Sequence, residues 1–152
     1  MKKLIILLII SAIAIFAGIS GQDYVNDAVK HELYIPNNAT IDTSITDDII
    51  EAGPFKIVRV SGDSYRRLKA ECPNIYGESI TYHGDSVSLD NIMREIGVAI
   101  YDDIDDGNTR IIHGYSARCG NAIAHHGRMV NIEAKCGNNT IQIGTPLIMG
   151  SY

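Results

Sequence analysis

The chain has 152 residues, of which 45% are hydrophobic and 20% are charged, and its formal net charge at neutral pH is −5. This length suits one domain with a hydrophobic core, and no internal repeat divides it. The acidic balance argues against a nucleic-acid-binding protein. No catalytic or cofactor motif of recognised spacing occurs, so the sequence indicates location and architecture more directly than chemistry.

The first feature along the chain is an uncharged apolar run, residues 4–21, that directly follows two lysines. A helix of this length spans roughly 27 Å, which fits either a secretory signal peptide or a transmembrane anchor. No Lys or Arg follows until Lys30, so the positive-inside rule places the amino terminus in the cytoplasm. The small residues Gly18 and Ser20 permit cleavage, and both alternatives stay open for residues 1–21. We predict an extracytoplasmic domain that is either membrane-anchored or secreted.

The next stretch, residues 22–54, is predicted to form short helices and a linker. Residues 22–33 carry apolar side chains at helical spacing, and residues 34–44 are polar. Thr46 resembles a helix N-cap, and Gly53 ends that short helix.

Residues 55–152 are predicted to form an α+β globular domain. The pattern predicts a strand over 55–60, a helix over 63–72 and a second strand over 75–82. A longer helix is predicted from Ser88 to Ile104, because its apolar residues follow a 3, 4, 3, 4 spacing.

From residue 108 onward the apolar period changes from 3.6 to 2, which predicts short antiparallel strands. Strands are predicted over 110–115, 130–136 and 141–147, and the even-numbered residues of 130–136 are expected to face the core. Pro146 in the last strand predicts that this strand lies at a sheet edge. The predicted fold class is α+β: an antiparallel β-sheet with two or three helices packed on one face, preceded by an N-terminal hydrophobic helix.

Two cysteines flank a predicted hairpin and are disulfide candidates. A type II′ turn that begins at Gly127 puts Cys119 directly opposite Cys136, whereas a type I′ turn that begins at His126 offsets them by one pair. Outside the cytoplasm an opposed pair can oxidise. Cys72 is left over, and its position after a predicted helix indicates a small core residue.

Three histidines are the candidate metal ligands or general bases: His113, His125 and His126. Neighbouring residues of a strand point to opposite faces, so His125 and His126 are not expected to bind one ion together. No Cys-x-x-Cys or His-x-x-x-His pattern completes a site. We therefore predict polar residues at a solvated hairpin tip, with no catalytic residue and no cofactor.

The densest cluster of charge consists of four carboxylates, Asp102, Asp103, Asp105 and Asp106. The calcium-loop pattern fails here, because Ile104 stands where the loop requires an oxygen ligand. We predict that the cluster is a solvated helix end.

Three short patterns near the carboxyl end, residues 114–116, 130–134 and 143–148, resemble the YwmB-like proteins of spore-forming Gram-positive bacteria. The resemblance covers about the last 45 residues. It implies an exported or membrane-anchored protein whose fold is likened to the TATA-box-binding protein, and it implies no biochemical activity. Ala117 stands where the family usually has a proline, and Cys119 and Cys136 are additions. A DNA-binding role does not follow, because the exported part is acidic.

The leading hypothesis is a non-enzymatic extracytoplasmic module that presents its sheet face or an edge strand to an envelope protein or polymer, with residues 4–21 in the membrane. One alternative is a small envelope hydrolase or metal-dependent enzyme that uses His113, Cys119, His125 and His126. Another is a structural component of a spore or cell wall. The lack of a nucleophile with its base at diagnostic spacing argues against catalysis.

Overall fold

The computed structural model describes residues 30–72 and 74–149. Strands dominate this part of the chain, and their bounds are β1 Lys30–Pro36, β2 Asp48–Ala52, β3 Phe55–Val60, β4 Gly77–His83, β5 Ala99–Asp105, β6 Arg110–Tyr115, β7 Ile123–His125, β8 Arg128–Val130, β9 Ile132–Gly137 and β10 Thr140–Thr145. The α-helices are α1, Gly62–Glu71, and α2, Ser86–Glu95. A 3-10 turn occupies Thr43–Ile45.

Eight of the strands form one antiparallel sheet in the order β2-β3-β1-β4-β10-β9-β6-β5. The other two, β7 and β8, form a separate hairpin. Strands β2 and β5 are therefore the two edges of the main sheet.

The predicted α+β fold class is wrong, because the described residues are 47% strand and only 19% helix. The largest error is the helix predicted from Ser88 to Ile104. Helix α2 ends at Glu95, and Gly97 adopts a φ of +66° that lets the chain turn back into β5. Ile100 and Ile104, which supplied the helical spacing, are 44% and 58% exposed. A 3, 4 spacing of apolar residues therefore also occurs where a short helix is followed by an exposed edge strand.

The amino-terminal hydrophobic helix of that prediction lies outside the described residues. Within residues 30–72 and 74–149, no helix is long and apolar enough to cross a membrane. Residues 30–33, predicted as a helix end, belong to β1, and the short helix predicted from Thr46 is replaced by β2. The β-branched residue Ile49 pairs with Val58 of β3, and such side chains suit a pleated surface better than a two-turn helix.

Both helices pack against the same face of the sheet, because the residues that they cover alternate along each strand. Helix α1 buries Tyr65 and Leu68 against strands β1 and β3. Helix α2 contributes its buried residues Leu89, Ile92 and Met93 to a second cluster over β4, β10, β9 and β6. We call the opposite side of the sheet the open face.

The last predicted strand is central rather than at an edge. Strand β10 lies between β4 and β9, and Pro146 follows it after a cis peptide bond. Residues 146–149, the carboxyl-terminal strap, then cross the open face, where Ile148 is fully buried. Gly144 makes room for this crossing, since a Cβ there would lie 2.7 Å from the backbone nitrogen of Ile148.

The predicted continuous strand over 130–136 is interrupted at Asn131, which is fully buried. Its Oδ1 accepts a hydrogen bond from the backbone N–H of Ser116 at 2.8 Å, and its Nδ2 donates to the carbonyl oxygens of Ser116, Cys119 and Gly120. Asn131 thereby fixes the loop after β6. The prediction that residues 131 and 133 face solvent is wrong, because Glu133 is also buried.

Candidate functional site

A row of seven polar residues and one glycine crosses the open face, with one residue from each of the eight strands. Each member pairs directly with the next across a ladder, so all project from the same face. In spatial order this polar row is Asp48, Arg59, Glu32, Ser79, Gly144, Glu133, His113 and Asp102.

The half of the row around Glu32 is fully hydrogen-bonded. Oε1 of Glu32 lies 3.0 Å from Nε of Arg59 and 2.6 Å from Nζ of Lys30. Its Oε2 accepts hydrogen bonds from Ser79 and Gln142 at 3.0 and 3.2 Å. Burial alone would raise the pKa of Glu32, but the hydrogen bonds from Lys30 and Arg59 outweigh it and hold the pKa below its usual value. This half is a satisfied structural network.

The other half of the row, around His113, is not satisfied. Oε2 of Glu133 accepts a hydrogen bond from the backbone N–H of Ile148 at 2.8 Å. Its Oε1 lies 3.7 Å from Nε2 of His113, which is an ion-pair distance but too long for a good hydrogen bond. Nδ1 of His113 is buried and has no hydrogen-bond partner among the described residues. A buried imidazole nitrogen in this position calls for an explanation.

The structure brings the three histidines together, although the sequence analysis expected His125 and His126 to point to opposite faces. The ring centroids of His113 and His125 are 4.8 Å apart, and those of His125 and His126 are 4.3 Å apart. The reason is the turn of the β7–β8 hairpin, which begins at His126 and gives that residue a φ of +47°. The predicted type I′ alternative is the one found. We call these three residues the histidine group.

In their present orientations these side chains do not form a metal cage. Across the two described ranges, no group of three or more His, Cys, Asp or Glu residues is arranged to hold a metal ion. The hairpin that carries His125 and His126 also contacts the sheet edge, because the guanidinium of Arg128 lies 5.0 Å from the ring centroid of Tyr101.

The cysteines are free thiols, and the register proposed for a disulfide is wrong. Strands β7 and β8 have three residues each, so Cys119 falls in the turn region before β7, while Cys136 pairs with Arg110 and Ile141 in the main sheet. Burial raises the pKa of Cys119 to about 11, although a hydrogen bond from Ser116 opposes the shift. Cys119 is thus protonated at neutral pH and is not an activated nucleophile.

Strand β5 is the most exposed strand of the main sheet, with only Tyr101 less than exposed along its length. Its outer edge pairs with no described strand. A bulge between Ile100 and Asp102 interrupts its pairing with β6. Two large exposed apolar side chains, Ile100 and Ile104, lie near carboxylates on this open edge.

The four carboxylates predicted at a helix end lie instead on β5 and the turn that follows it. Asp103 forms a two-point pair with Arg110, at 2.8 and 2.7 Å, and this contact lowers the pKa of Asp103. Asp105 and Asp106 accept backbone hydrogen bonds from residues 107–109. Asp102 makes no such contact within the described ranges, and it pairs across the ladder with His113.

The clefts in the surface of the described residues include three of about 210, 200 and 290 Å³. None of the three is lined by His113 or Cys119, so these clefts do not join the nucleophile and base of the predicted enzyme alternative. The second cleft borders Asp85, Arg110 and Cys136 and is mainly polar.

Sequence reasoning missed Glu32 and Glu133, which the polar row buries. Glu32 was assigned to a helix and Glu133 to a solvent-facing position, and no local signal in the sequence marks either one. Only the pairing of strands distant in sequence places them beside Ser79 and His113.

The comparisons with known proteins identify no relative of this chain. No protein-family model matches the chain, and neither a search of curated proteins nor a search of solved structures finds a match. The functional argument therefore rests on the geometry described above.

Proposed function

We propose that this chain is a non-enzymatic binding module of the cell envelope, anchored to the membrane or secreted, that takes up an extended basic segment of another envelope protein along the free edge of β5. The observation that carries the proposal is the exposed outer edge of β5, with two apolar side chains among acidic ones. An open edge of this kind is a template for an added strand. The extracytoplasmic location comes from the apolar run at residues 4–21.

The backbone of β5 supports strand addition. The N–H of Asp106 donates to the carbonyl of Thr109, which makes Asp105 and its partner Arg110 a pair without ladder hydrogen bonds between them. Antiparallel pairs alternate, so the backbone N–H and C=O groups of Asp105 and Asp103 point outward from the sheet. An extended partner could therefore form backbone hydrogen bonds with Asp103 and with Asp105, which have one residue between them.

The negative charge of β5 favours a basic partner strand over a second copy of this chain. A second copy of the chain would place the carboxylates of one β5 beside those of another, and like charges directly opposite each other are destabilising. Among the described residues, no basic side chain lies within ion-pair distance of Asp102 or Asp105, whereas Asp103 is neutralised by Arg110. Asp105 lies on the helix-covered face of β5, and Ile104 lies on the open face. A partner strand with alternating Lys or Arg would place its basic side chains beside Asp105, and its apolar residues would cover Ile104.

The opposite edge, β2, fits a partner less well. It has five residues rather than seven, and its one exposed large apolar side chain, Ile50, is 36% exposed. Its Asp48 is already paired with Arg59 at 2.9 Å.

The protonated state of Cys119 further supports a binding role over a catalytic one.

A peptide of seven alternating Lys and Val residues, blocked at both ends, tests the proposal by fluorescence anisotropy with the full chain in mild detergent. We expect saturable binding that weakens as salt increases, because the added contacts include exposed ion pairs. The same peptide with Glu in place of Lys should not bind.

The matched variants are Ile104→Lys on β5 and Ile50→Lys on β2, which place the same charge on opposite edges. We expect Ile104→Lys to weaken peptide binding at least tenfold and Ile50→Lys to leave it unchanged, which corresponds to roughly 1.4 kcal/mol at the β5 edge. Equal loss in both variants, or loss only in Ile50→Lys, would exclude the β5 edge.

A further inference from the structure

We propose that the first of the three clefts, of about 210 Å³, binds one uncharged sugar ring, which stacks on Tyr76 and forms hydrogen bonds with the polar groups of the cleft. The first cleft is separate from the β5 edge, and the inference does not depend on the proposed function. It is carried by the polar floor of the cleft, its balance of charge, the exposed ring of Tyr76 and the hydrogen bonds that hold its walls.

The floor of the first cleft is polar where the two core clusters meet. Glu78 of β4 pairs on one side with Leu33, which helix α1 covers, and on the other side with Thr145 of β10. Both Glu78 and Thr145 are buried and line the cleft. An apolar pair at these two positions would extend the core instead, and polar residues that depart from a core pattern in this way often mark a functional site.

The charges of the first cleft balance each other. Among the described residues that line it, the charged ones are Lys69 and Glu78. Nζ of Lys69 donates to both carboxylate oxygens of Glu78, at 2.7 and 3.0 Å, and the hydroxyl of Tyr65 donates to the same carboxylate. A carboxylate has about four lone-pair positions, so Glu78 keeps the capacity to accept a further hydrogen bond. An uncharged ligand with hydroxyl groups therefore fits this cleft better than an ion.

The first cleft also has an exposed aromatic ring, that of Tyr76, which is 52% exposed. The ring of Phe55 meets it edge-on, with centroids 6.5 Å apart and an angle of 72° between the planes. The backbone N–H of Tyr76 donates to the carbonyl oxygen of Tyr34 at 2.8 Å. These contacts orient the ring and leave it accessible. A tyrosine ring offers an apolar face beside a polar tip, and the C–H groups on one side of a pyranose ring pack against such a face.

The walls of the first cleft are held by hydrogen bonds that do not involve a ligand. Nδ2 of Asn131 donates to the carbonyl oxygen of Gly120 at 3.2 Å, which fixes the loop that brings Asn121 to the cleft. The exposed amide of Asn121 carries both a donor and an acceptor. Pro146, the first residue of the carboxyl-terminal strap, also lines the cleft. A cleft formed in advance binds its ligand without the cost of ordering the chain.

The size of the first cleft limits the ligand to one ring. Its volume of about 210 Å³ corresponds to about seven water molecules at roughly 30 Å³ each. Pockets that enclose drug-sized ligands are larger, at about 300 to 1,000 Å³. A single pyranose ring, with an apolar side for Tyr76 and hydroxyl groups for Glu78 and Thr145, therefore matches both the size and the chemistry of the cleft.

Saturation-transfer NMR of the full chain with the methyl glycoside of N-acetylglucosamine tests the proposal, in a detergent without a sugar headgroup. We expect saturable binding with a Kd on the order of 1 mM. Sorbitol has the hydroxyl groups but no ring, and cyclohexanol has a ring but one hydroxyl group, so neither should bind. The tetramer of N-acetylglucosamine distinguishes two sources of the sugar: tighter binding than the monomer assigns a polysaccharide, and equal affinity assigns a single sugar.

The matched variants compare two exposed tyrosines and two threonines. Tyr76→Ala should weaken binding of the glycoside at least roughly tenfold, whereas Tyr115→Ala, which lies outside the first cleft and is 37% exposed, should leave it unchanged. Thr145→Val removes the hydroxyl from the floor and should weaken binding at least about threefold. Thr81→Val, on the open face of β4, should bind as the wild type does.

Tyr76→Ala should melt within a few degrees of the wild type, because the side chain is exposed, so its loss of binding is not a loss of folding. The proposal is overturned if the wild-type chain shows no saturable binding of the glycoside, if Tyr115→Ala loses as much affinity as Tyr76→Ala, or if Thr145→Val binds normally. Equal binding of sorbitol and the glycoside would also overturn it, because the ring face would then contribute nothing.

Discussion

Arg59 donates a hydrogen bond through Nε to Oε1 of Glu32 at 3.0 Å, directly across the ladder between β3 and β1. The same arginine reaches Asp48 on β2 through Nη1 at 2.9 Å. One guanidinium thus joins the edge strand β2 to the centre of the sheet. Together with Ser79 and Gln142, it holds a buried carboxylate on the face that no described helix covers.

This network predicts a pH dependence of stability. The pKa of Glu32 is lower in the folded chain than its ordinary value near 4.5, so its carboxylate form stabilises the fold. That contribution is complete above the unfolded pKa and is lost as the pH falls through the folded pKa. We expect Glu32→Gln to reduce the free energy of unfolding by about 2 kcal/mol at pH 7.

Urea denaturation from pH 7 to pH 3 measures this effect. The difference between the wild type and Glu32→Gln should shrink below about pH 4.5, as the wild-type carboxylate becomes protonated. A difference that stays constant over this range would show that the carboxylate charge does not stabilise the fold.

The side chain of Asn131 is predicted to hold the loop after β6. Asn131→Ala removes four hydrogen bonds to backbone groups of Ser116, Cys119 and Gly120, and should cost about 2 to 4 kcal/mol. Asn131→Asp should also destabilise, because a carboxylate would face carbonyl oxygens. The exposed Asn121 provides the control, and Asn121→Ala should change the free energy of unfolding by less than about 0.5 kcal/mol. Equal effects at the two positions would refute this role.

The close contact between Gly144 and the carboxyl-terminal strap predicts that any side chain at residue 144 displaces the strap. In Gly144→Ala the new Cβ would lie 2.7 Å from the backbone nitrogen and 2.8 Å from Cγ1 of Ile148. The strap must then move away, which should cost about 1 to 3 kcal/mol and break the bond between Ile148 and Glu133. Limited proteolysis should cut residues 146–149 faster in this variant than in the wild type. Unchanged cleavage would mean that the strap is not held at Gly144.

The thiol of Cys119 should be unreactive in the folded chain. With burial raising its pKa to about 11, only about one molecule in a thousand carries the thiolate at pH 8. Iodoacetamide at pH 8 should therefore modify Cys119 slowly in the native chain and rapidly in urea. Rapid native modification at this position would revive the enzyme hypothesis.

Local sequence patterns predicted the helices and strands whose own residues show a clear periodicity and a clear end. Strand β3 and helix α1 appear close to their predicted bounds, because each combines a clear period with a stop signal at Gly62 or after Glu71. Helix α2 was extended too far, since Ile100 and Ile104 continue the apolar spacing past the end marked by Gly97. The alternation of Ile132, Ala134 and Cys136 gave the core face of β9 correctly.

The candidate sites depend on contacts that local patterns do not encode. The three histidines were identified by residue type, but their grouping requires the left-handed backbone of His126, which an alternating strand pattern does not anticipate. The acidic cluster was placed on a helix, so the free edge of β5 was missed although an exposed edge strand was expected in general. Glu32 is buried by the pairing of β1 with β4, and Glu133 by the pairings of β9 with β6 and β10, none of which a local pattern encodes.

Amide hydrogen exchange of the full chain with and without the Lys–Val peptide tests the β5 edge most directly. An added strand would bond the outward N–H groups of Asp103 and Asp105, so we predict that these amides become protected at peptide saturation, while amides of β2 exchange at unchanged rates. Saturable binding with no protection on β5, or with protection on β2 instead, would contradict the proposed function.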